Sequence, residues 1–250
     1  MKGKKLNYTD TYVTVFQYKV PLRIHIERRA NIRIAVGKDT VLLRIPVFSS
    51  GQIEKHVATA TEWLKKVCKE QPQLLEKYHI SKYSINREVT ILGRDKYLLE
   101  VSEHNSELTG EIRLKDNKML ILVPNGIDDF DKRVMARNLI SKLMARKYKK
   151  LVEERIKYWN DRYFQKDVKG VTLRYNSTNW GSCSTTSKIN ISTRSLLLPM
   201  EVFDYILVHE LSHLVEMNHS DRFWKVVERV MPDYEKAEKW ITENAMRLDF

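Results

Sequence analysis

The chain has 250 residues, enough for one large domain or two ordinary ones, and its 42% hydrophobic and 30% charged residues exclude a disordered chain. Its net charge of +12 favours anionic partners such as nucleic acid or nucleotides, although a basic surface can also serve solubility alone. Two cysteines cannot build a disulfide framework, and no apolar run approaches the roughly 20 residues of a membrane helix, so we expect a cytoplasmic protein without membrane contact.

The first 125 residues predict a β-rich unit with one helix. Apolar residues alternate along "YKVPLRIHIE" and "NIRIAV", and strand patterns return between about 85 and 124 in "VTILG", "KYLLEV", "EIRL" and "KMLILVP". Between the two groups, apolar residues recur at helical spacing from Ile53 to Val67. The sequence shows no internal repeat.

Residues 131–158 predict a basic connecting helix. Ten lysines and arginines lie between Lys132 and Lys157, opposed only by Glu153 and Glu154. Such a helix can attract phosphates, or it can be the solvated face of a connecting element. Both interpretations remain open from the sequence.

The remainder predicts a small sheet followed by helices. The strand patterns "GVTLRYN" and "SKINIST" flank the loop "STNWGSC", and Pro199 opens a helix. Ser220 is the expected N-cap of a further helix, and Pro232 is expected to start the last one. We therefore predict an α+β protein with an N-terminal β-rich unit over 1–125 and a catalytic, mainly helical domain with a small β-sheet over 126–250.

The segment "VHELSHLVEMNHSDRFW" (208–224) carries the strongest chemical signal. His209 and His213 are four residues apart, so on a helix they lie on one face and can bind a single zinc ion. Glu210 occupies the position of the general base in HExxH hydrolases, where it accepts a proton from the attacking water. The pattern predicts one zinc ion, although other divalent metals fit the same ligands.

The third ligand requires the chain to turn back after the helix. We expect Asn218 to end the helix in a left-handed conformation and to direct His219 towards the metal. The spacing is that of the metzincin motif HExxHxxGxxH, but Glu216 replaces its glycine, so a metzincin fold is not predicted. A carboxylate of the next helix, such as Glu228, remains the alternative ligand.

Three residues upstream are candidates for substrate binding. Arg174 can hold a carboxylate or phosphate, although a surface salt bridge is the simpler explanation. Trp180 and Ser182 lie in a loop expected beside the cleft, where Gly181 lets a substrate approach the backbone. Trp180 is also explained as a core anchor. Cys183 is not needed as a ligand if three histidines bind the metal.

Four residues near the histidines could support the site. Asp204 and Glu216 are candidates to accept hydrogen bonds from the imidazole N–H groups, and both are also explained as surface carboxylates. Tyr205 and Tyr234 could polarise an oxyanion, but their spacing alone does not place them in the site.

The stretches "NWGSCS" (179–184), "VHELSHLVEMNHSDRFW" and "MPDY" (231–234) resemble the YgjP-like metallopeptidase domain, a relative of the zincins. The resemblance is dense over about 171–242 and looser over 12–68 and 90–150. It implies a zincin-like catalytic domain with His209, His213 and His219 as zinc ligands and Glu210 as base. Ser212 stands where relatives often have cysteine, which changes no ligand.

The resemblance leaves the substrate open. The family is named for proteolysis, some members are linked to hydrolysis of UTP, and SprT-like relatives cleave protein bound to DNA. We therefore predict a zinc-dependent hydrolase, first a metallopeptidase acting on peptides and alternatively a nucleoside triphosphate (UTP) pyrophosphohydrolase acting on an anionic substrate. A nucleic-acid-associated protein with structural zinc is the third hypothesis, although structural sites usually have four protein ligands.

Overall fold

The computed structural model describes residues 8–16, 18–37, 40–72, 74, 86–104, 109–127, 129–244, 248 and 250. The chain divides into two compact units, Met1–Lys82 and Tyr83–Phe250. The described residues form three sheets and five α-helices, so the predicted α+β class is confirmed.

The first unit is a four-stranded sheet covered by one helix. Its strands are β1 (Tyr8–Val15), β2 (Tyr18–Glu27), β3 (Arg33–Val36) and β4 (Val41–Pro46), in the order β1-β2-β4-β3. A 3₁₀ turn (Val47–Gln52) leads into α1 (Ile53–Glu70). Alternate strand residues such as Leu22 and Leu43 are fully buried with Leu64 of α1, as period-two and helical patterning require.

The second unit begins with the same arrangement. Strands β5 (Asn86–Ile91), β6 (Asp95–His104), β7 (Glu111–Lys115) and β8 (Lys118–Pro124) have the order β5-β6-β8-β7 and precede the long helix α2 (Asp129–Trp159). In both four-stranded sheets the two middle strands are parallel to each other and both outer pairs are antiparallel.

The register also agrees between the two sheets. Arg33 pairs with Arg44, two residues before the strand-ending Pro46, and Glu111 pairs with Leu122, two residues before Pro124. A ββββα pattern therefore occurs twice among the described residues, although the sequence shows no internal repeat, because the side chains differ at positions where strand direction and pairing agree.

The rest of the second unit holds the histidine-rich segment. A π-helical turn (Asn160–Phe164) ends α2, and β9 (Gly170–Arg174), β10 (Gly181–Cys183) and β11 (Lys188–Ser192) form a sheet with the order β10-β11-β9. A 3₁₀ turn (Thr193–Leu197) leads to α3 (Met200–Ser212), and two further helices follow: α4 (Asp221–Val230) and α5 (Tyr234–Asn244).

The compact units divide after Lys82, whereas the sequence placed the domain boundary between residues 125 and 126. Met119 and Ile121 of β8 belong to the same buried cluster as Met144 of α2 and Phe203 of α3. The sheet β5–β8 therefore belongs to the core of the second unit, because its apolar face is buried against α2. Among the described helices, none has the length and apolar character needed to cross a membrane.

Candidate metal centre

Three imidazoles converge at the end of α3. His209 lies in the last turn of α3, His213 immediately follows the helix, and His219 lies in the loop before α4. One ring nitrogen of each lies within 4.8 Å of the others. The Nε2 atoms of His209 and His219 are 3.0 Å apart. The four-residue spacing therefore brings the first two rings together, and the chain beyond the helix adds the third.

The turn that brings in His219 differs from the predicted one. Helix α3 ends at Ser212, and tight backbone bonds follow, from Leu214 N–H to the Leu211 carbonyl and from Val215 N–H to the Ser212 carbonyl. Asn218 is not among the residues with positive φ, so the expected left-handed stop at this position is wrong. A tightened last turn ends the helix instead, and it requires no glycine or asparagine.

One hydrogen bond to the backbone orients His213. Its Nδ1 lies 3.2 Å from the carbonyl oxygen of Glu216. The Glu216 side chain, predicted as a partner for an imidazole, pairs instead with Arg222 at 3.8 Å. Hence Glu216 supports the site through its main chain, and nothing in the residue type indicated this.

Phe223 of α4 packs against the three imidazoles. Its fully buried ring has centroid distances of 4.9 Å to His209, 4.6 Å to His213 and 4.8 Å to His219. A rigid apolar surface limits the rotation of the rings and excludes water from one side of the site. The apolar pattern of α4 by itself did not single out Phe223.

Glu210 is buried against the backbone of β10. A Cβ added to Gly181 would lie 2.6 Å from Glu210 Oε1 and 2.7 Å from its Cγ, so only glycine leaves room for this carboxyl group. Glu210 is 5% exposed, and its Oε2 has no hydrogen-bond partner among the described residues. Burial raises the pKa of the Glu210 carboxyl to about 8.

These residues fit a divalent metal ion. Burial, together with the neighbouring His213 and His219, lowers the pKa of His209 to about 3. Burial also lowers the pKa of His213. Both rings are therefore neutral at physiological pH, the form that binds zinc through nitrogen. The alternative ligand Glu228 is exposed on α4 and is not part of this cluster.

A cleft of about 740 Å³ opens beside the histidines. Trp180 and Ser182 line it, as do Ile206, Met217 and Ile241. Arg174 does not line the cleft: it ends β9, on the far side of β11 from the cleft-lining strand β10. The structure thus brings two of the three candidate substrate-binding residues to the histidines and leaves the third elsewhere.

Contacts hold Trp180, just before β10, in place, and the surroundings of Cys183 determine the protonation state of its thiol. The Arg194 guanidinium lies 4.3 Å from the centre of the Trp180 ring, and the Ser195 hydroxyl donates to the Trp180 carbonyl at 2.7 Å. Cys183 lines the cleft, but burial and then the charge of Glu210 raise the pKa of its thiol to about 11. The thiol therefore stays protonated, which is not the form that binds metal.

Tyr205 lines the cleft beside the histidines, whereas Asp204 has a partner other than the predicted imidazole. The Tyr205 hydroxyl donates to Glu238 Oε1 at 2.8 Å and lies 3.4 Å from His209 Nδ1. Glu238 also lines the cleft, and no pattern in the sequence pointed to it. Asp204 accepts two hydrogen bonds from Arg155 of α2, so it fixes α3 against α2 rather than supporting an imidazole.

Most of the basic side chains of α2 have partners within the protein. Four of its lysines and arginines pair with carboxylates that belong to α2 or lie nearby, and one, Arg155, pairs with Asp204 of α3. Arg137 lies over the ring of Tyr175 and Lys147 over that of Tyr97. These contacts account for seven of the ten basic residues, so phosphate attraction by this helix stays a prediction.

Three imidazoles that converge beside a buried carboxyl group and an open cleft suit a metal-dependent hydrolase. The chain belongs to the family of YgjP-like metallopeptidase domains, which its sequence matches over residues 30–244. Among solved structures, the metallopeptidase zymogen of Pyrococcus abyssi abylysin is 27% identical, with a match that covers 37% of this chain and 93% of that one and a TM-score of 0.34. No curated protein sequence matches the chain.

Proposed function

We propose that this chain is a zinc-dependent peptidase in which His209, His213 and His219 bind the metal and Glu210 is the general base. The observation that carries the proposal is the position of Glu210. Its carboxyl group is buried beside the first of three convergent histidines and faces an open cleft, with one oxygen free of any partner among the described residues.

The chain's own residues supply the proton transfer and the geometry. A bound zinc ion would lower the pKa of the attacking water and polarise the substrate carbonyl. Glu210 would accept the proton of that water and return it to the leaving amine, acting first as a general base and then as a general acid. Gly181 and the β10 backbone hold this carboxylate in place, because no Cβ occupies the space that it fills.

The shape of the cleft supports a peptide substrate. Residues 178–183 line it continuously, and β10 within this segment is the edge strand of its sheet, with β11 as its one neighbour among the described strands. An edge strand offers unpaired backbone groups to which an extended peptide can add as a further strand. Peptide binding along β10 would bring a backbone carbonyl to the histidines.

The charges of the cleft weigh against a nucleoside triphosphate. In the described part of the chain the cleft is lined by no lysine or arginine, whereas Glu210 and Glu238 both line it. Triphosphate binding normally requires cationic or backbone N–H donors around the phosphates. The open cleft beside the histidines weighs against a purely structural metal, because protein ligands normally fill every coordination position of such a metal.

The test compares zinc-loaded wild-type protein with the variants Glu210→Gln and Glu228→Gln on unfolded casein and on UTP. We expect casein cleavage by the wild type and by Glu228→Gln, whose carboxylate is exposed outside the cleft, and none by Glu210→Gln with its zinc content unchanged. Casein cleavage that survives in Glu210→Gln would contradict the assignment of the base. Pyrophosphate release from UTP without casein cleavage would contradict the peptidase.

A further inference from the structure

Helix α5 contributes no histidine to the metal centre, yet one of its side chains reaches the site through a hydrogen-bonded chain. Glu238 of α5 accepts the Tyr205 hydroxyl at 2.8 Å, and the same hydroxyl oxygen lies 3.4 Å from His209 Nδ1. Tyr205 precedes His209 by one helical turn, so both side chains lie on one face of α3.

The direction of these hydrogen bonds follows from proton counting. A phenol has one proton, and here Tyr205 donates it to a carboxylate that can only accept. Towards His209 the Tyr205 oxygen can then act only as an acceptor. His209 must therefore carry its proton on Nδ1, which leaves the Nε2 lone pair directed towards His219.

The surroundings hold Tyr205 in this position. It is 3% exposed, and its ring stacks on Tyr234 with a centroid distance of 6.3 Å. Tyr234 in turn stacks on Trp224 at 5.4 Å. Because the stack fixes the phenol ring, the hydroxyl position depends on packing between α3, α4 and α5 and not on the metal.

We propose that Tyr205 and Glu238 are positioning residues that fix the tautomer and orientation of His209 and thereby strengthen metal binding. This inference rests on the proposed function, because it requires His209 to be a ligand. The Glu238 charge polarises the phenol, which makes its oxygen a better acceptor and the imidazole a stronger ligand. His213 receives the corresponding support from the Glu216 carbonyl.

The experiment measures zinc affinity of the full chain by competition with a chromophoric chelator, and the visible absorption of the cobalt(II)-loaded protein. Tyr205→Phe should weaken zinc binding about 10- to 100-fold, the usual effect of removing a partner of a metal-bound histidine, and should change the cobalt spectrum. Glu238→Gln should weaken zinc binding less, since an amide oxygen can still accept from the phenol. The matched control is Tyr234→Phe, which keeps the ring stack and removes a hydroxyl that, among the described residues, makes no bond to an imidazole; it should bind zinc like the wild type.

A double mutant tests whether Glu238 acts through Tyr205, as a relay from Glu238 through Tyr205 to His209, or directly through its charge. If Glu238 acts through Tyr205, Glu238→Gln should have little further effect in the Tyr205→Phe background. An undiminished effect there would overturn the relay, as would wild-type affinity and an unchanged cobalt spectrum in Tyr205→Phe. Melting temperatures of the metal-free variants check that all are folded.

His209→Ala distinguishes failure of the relay from failure of the proposed site. If that variant loses zinc while Tyr205→Phe does not, the metal site stands and the relay is wrong. If His209→Ala also keeps zinc at wild-type affinity, the metal site itself is wrong and the relay falls with it.

Discussion

Gly181 and Glu210 are in contact across the interface between β10 and α3. A Cβ at Gly181 would approach the Glu210 Oε1, Cγ and Cδ atoms to 2.6, 2.7 and 2.8 Å. All three atoms belong to one flexible side chain, so a larger residue at position 181 would displace the carboxyl group rather than the strand. The absence of a side chain on β10 therefore determines where the proposed base lies.

Gly181→Ala should reduce peptidase activity strongly while leaving zinc content and stability nearly unchanged. Displacement of a catalytic group by about 1 Å can cost on the order of 100-fold in rate, and we expect a loss of that size in kcat/KM. Gly170→Ala is the matched control, because a Cβ at this position on β9 meets nothing within 4 Å. Equal activities of the two variants would show that Gly181 does not position Glu210.

Removal of the metal should lower the melting temperature and abolish hydrolysis, and zinc should restore both. An ion that binds only the folded state stabilises it by about 2.7 kcal/mol when its free concentration is 100 times its Kd. Thermal denaturation with chelator and after addition of zinc measures this difference. His219→Ala should show a much smaller difference between the two conditions, and a shift as large as in the wild type would place the third ligand elsewhere.

Phe223→Leu should weaken zinc binding as well as stability. The ring of Phe223 contacts all three imidazoles, so a smaller side chain lets each of them rotate more freely. Its stability cost should be about 1 kcal/mol, since a similar apolar volume is kept. Phe203→Leu serves as the control, because Phe203 on α3 is also fully buried but makes no ring contact with a histidine among the described residues. Parallel chemical denaturation and zinc titration would distinguish the two, and equal zinc affinities would contradict the role of Phe223.

Arg155→Met should destabilise the second unit by about 3 kcal/mol, because it leaves the Asp204 carboxylate buried without its cation. The Asp204 side chain is 9% exposed, and both of its oxygens accept from Arg155. Replacing both partners, as Arg155→Met with Asp204→Leu, should recover much of this loss. Lys150→Met, which breaks an exposed pair with Glu154, should change the free energy of unfolding very little. Urea denaturation followed by tryptophan fluorescence measures all three; a cost for Arg155→Met no larger than for Lys150→Met would be inconsistent with a buried pair.

Features that depend on local geometry were accessible from the sequence. Alternating apolar residues identified the strands, and the four-residue spacing of His209 and His213 fixed a shared helical face. The third histidine was found from its spacing, but the turn that delivers it was predicted incorrectly. That turn is made by backbone hydrogen bonds after Ser212. Most residue types can form such bonds, so no particular residue in the sequence indicates the turn.

By itself, the sequence determined the α+β class, the family resemblance and the three histidines with their adjacent glutamate, because helical and strand periodicity are set by neighbouring residues. Only the tertiary structure decided which partners surround them. Glu238 is 33 residues from Tyr205, and Arg155 is 49 residues from Asp204. Contacts over such separations depend on how the helices and sheets pack together, and packing is a property of the whole second unit rather than of any short stretch of its sequence.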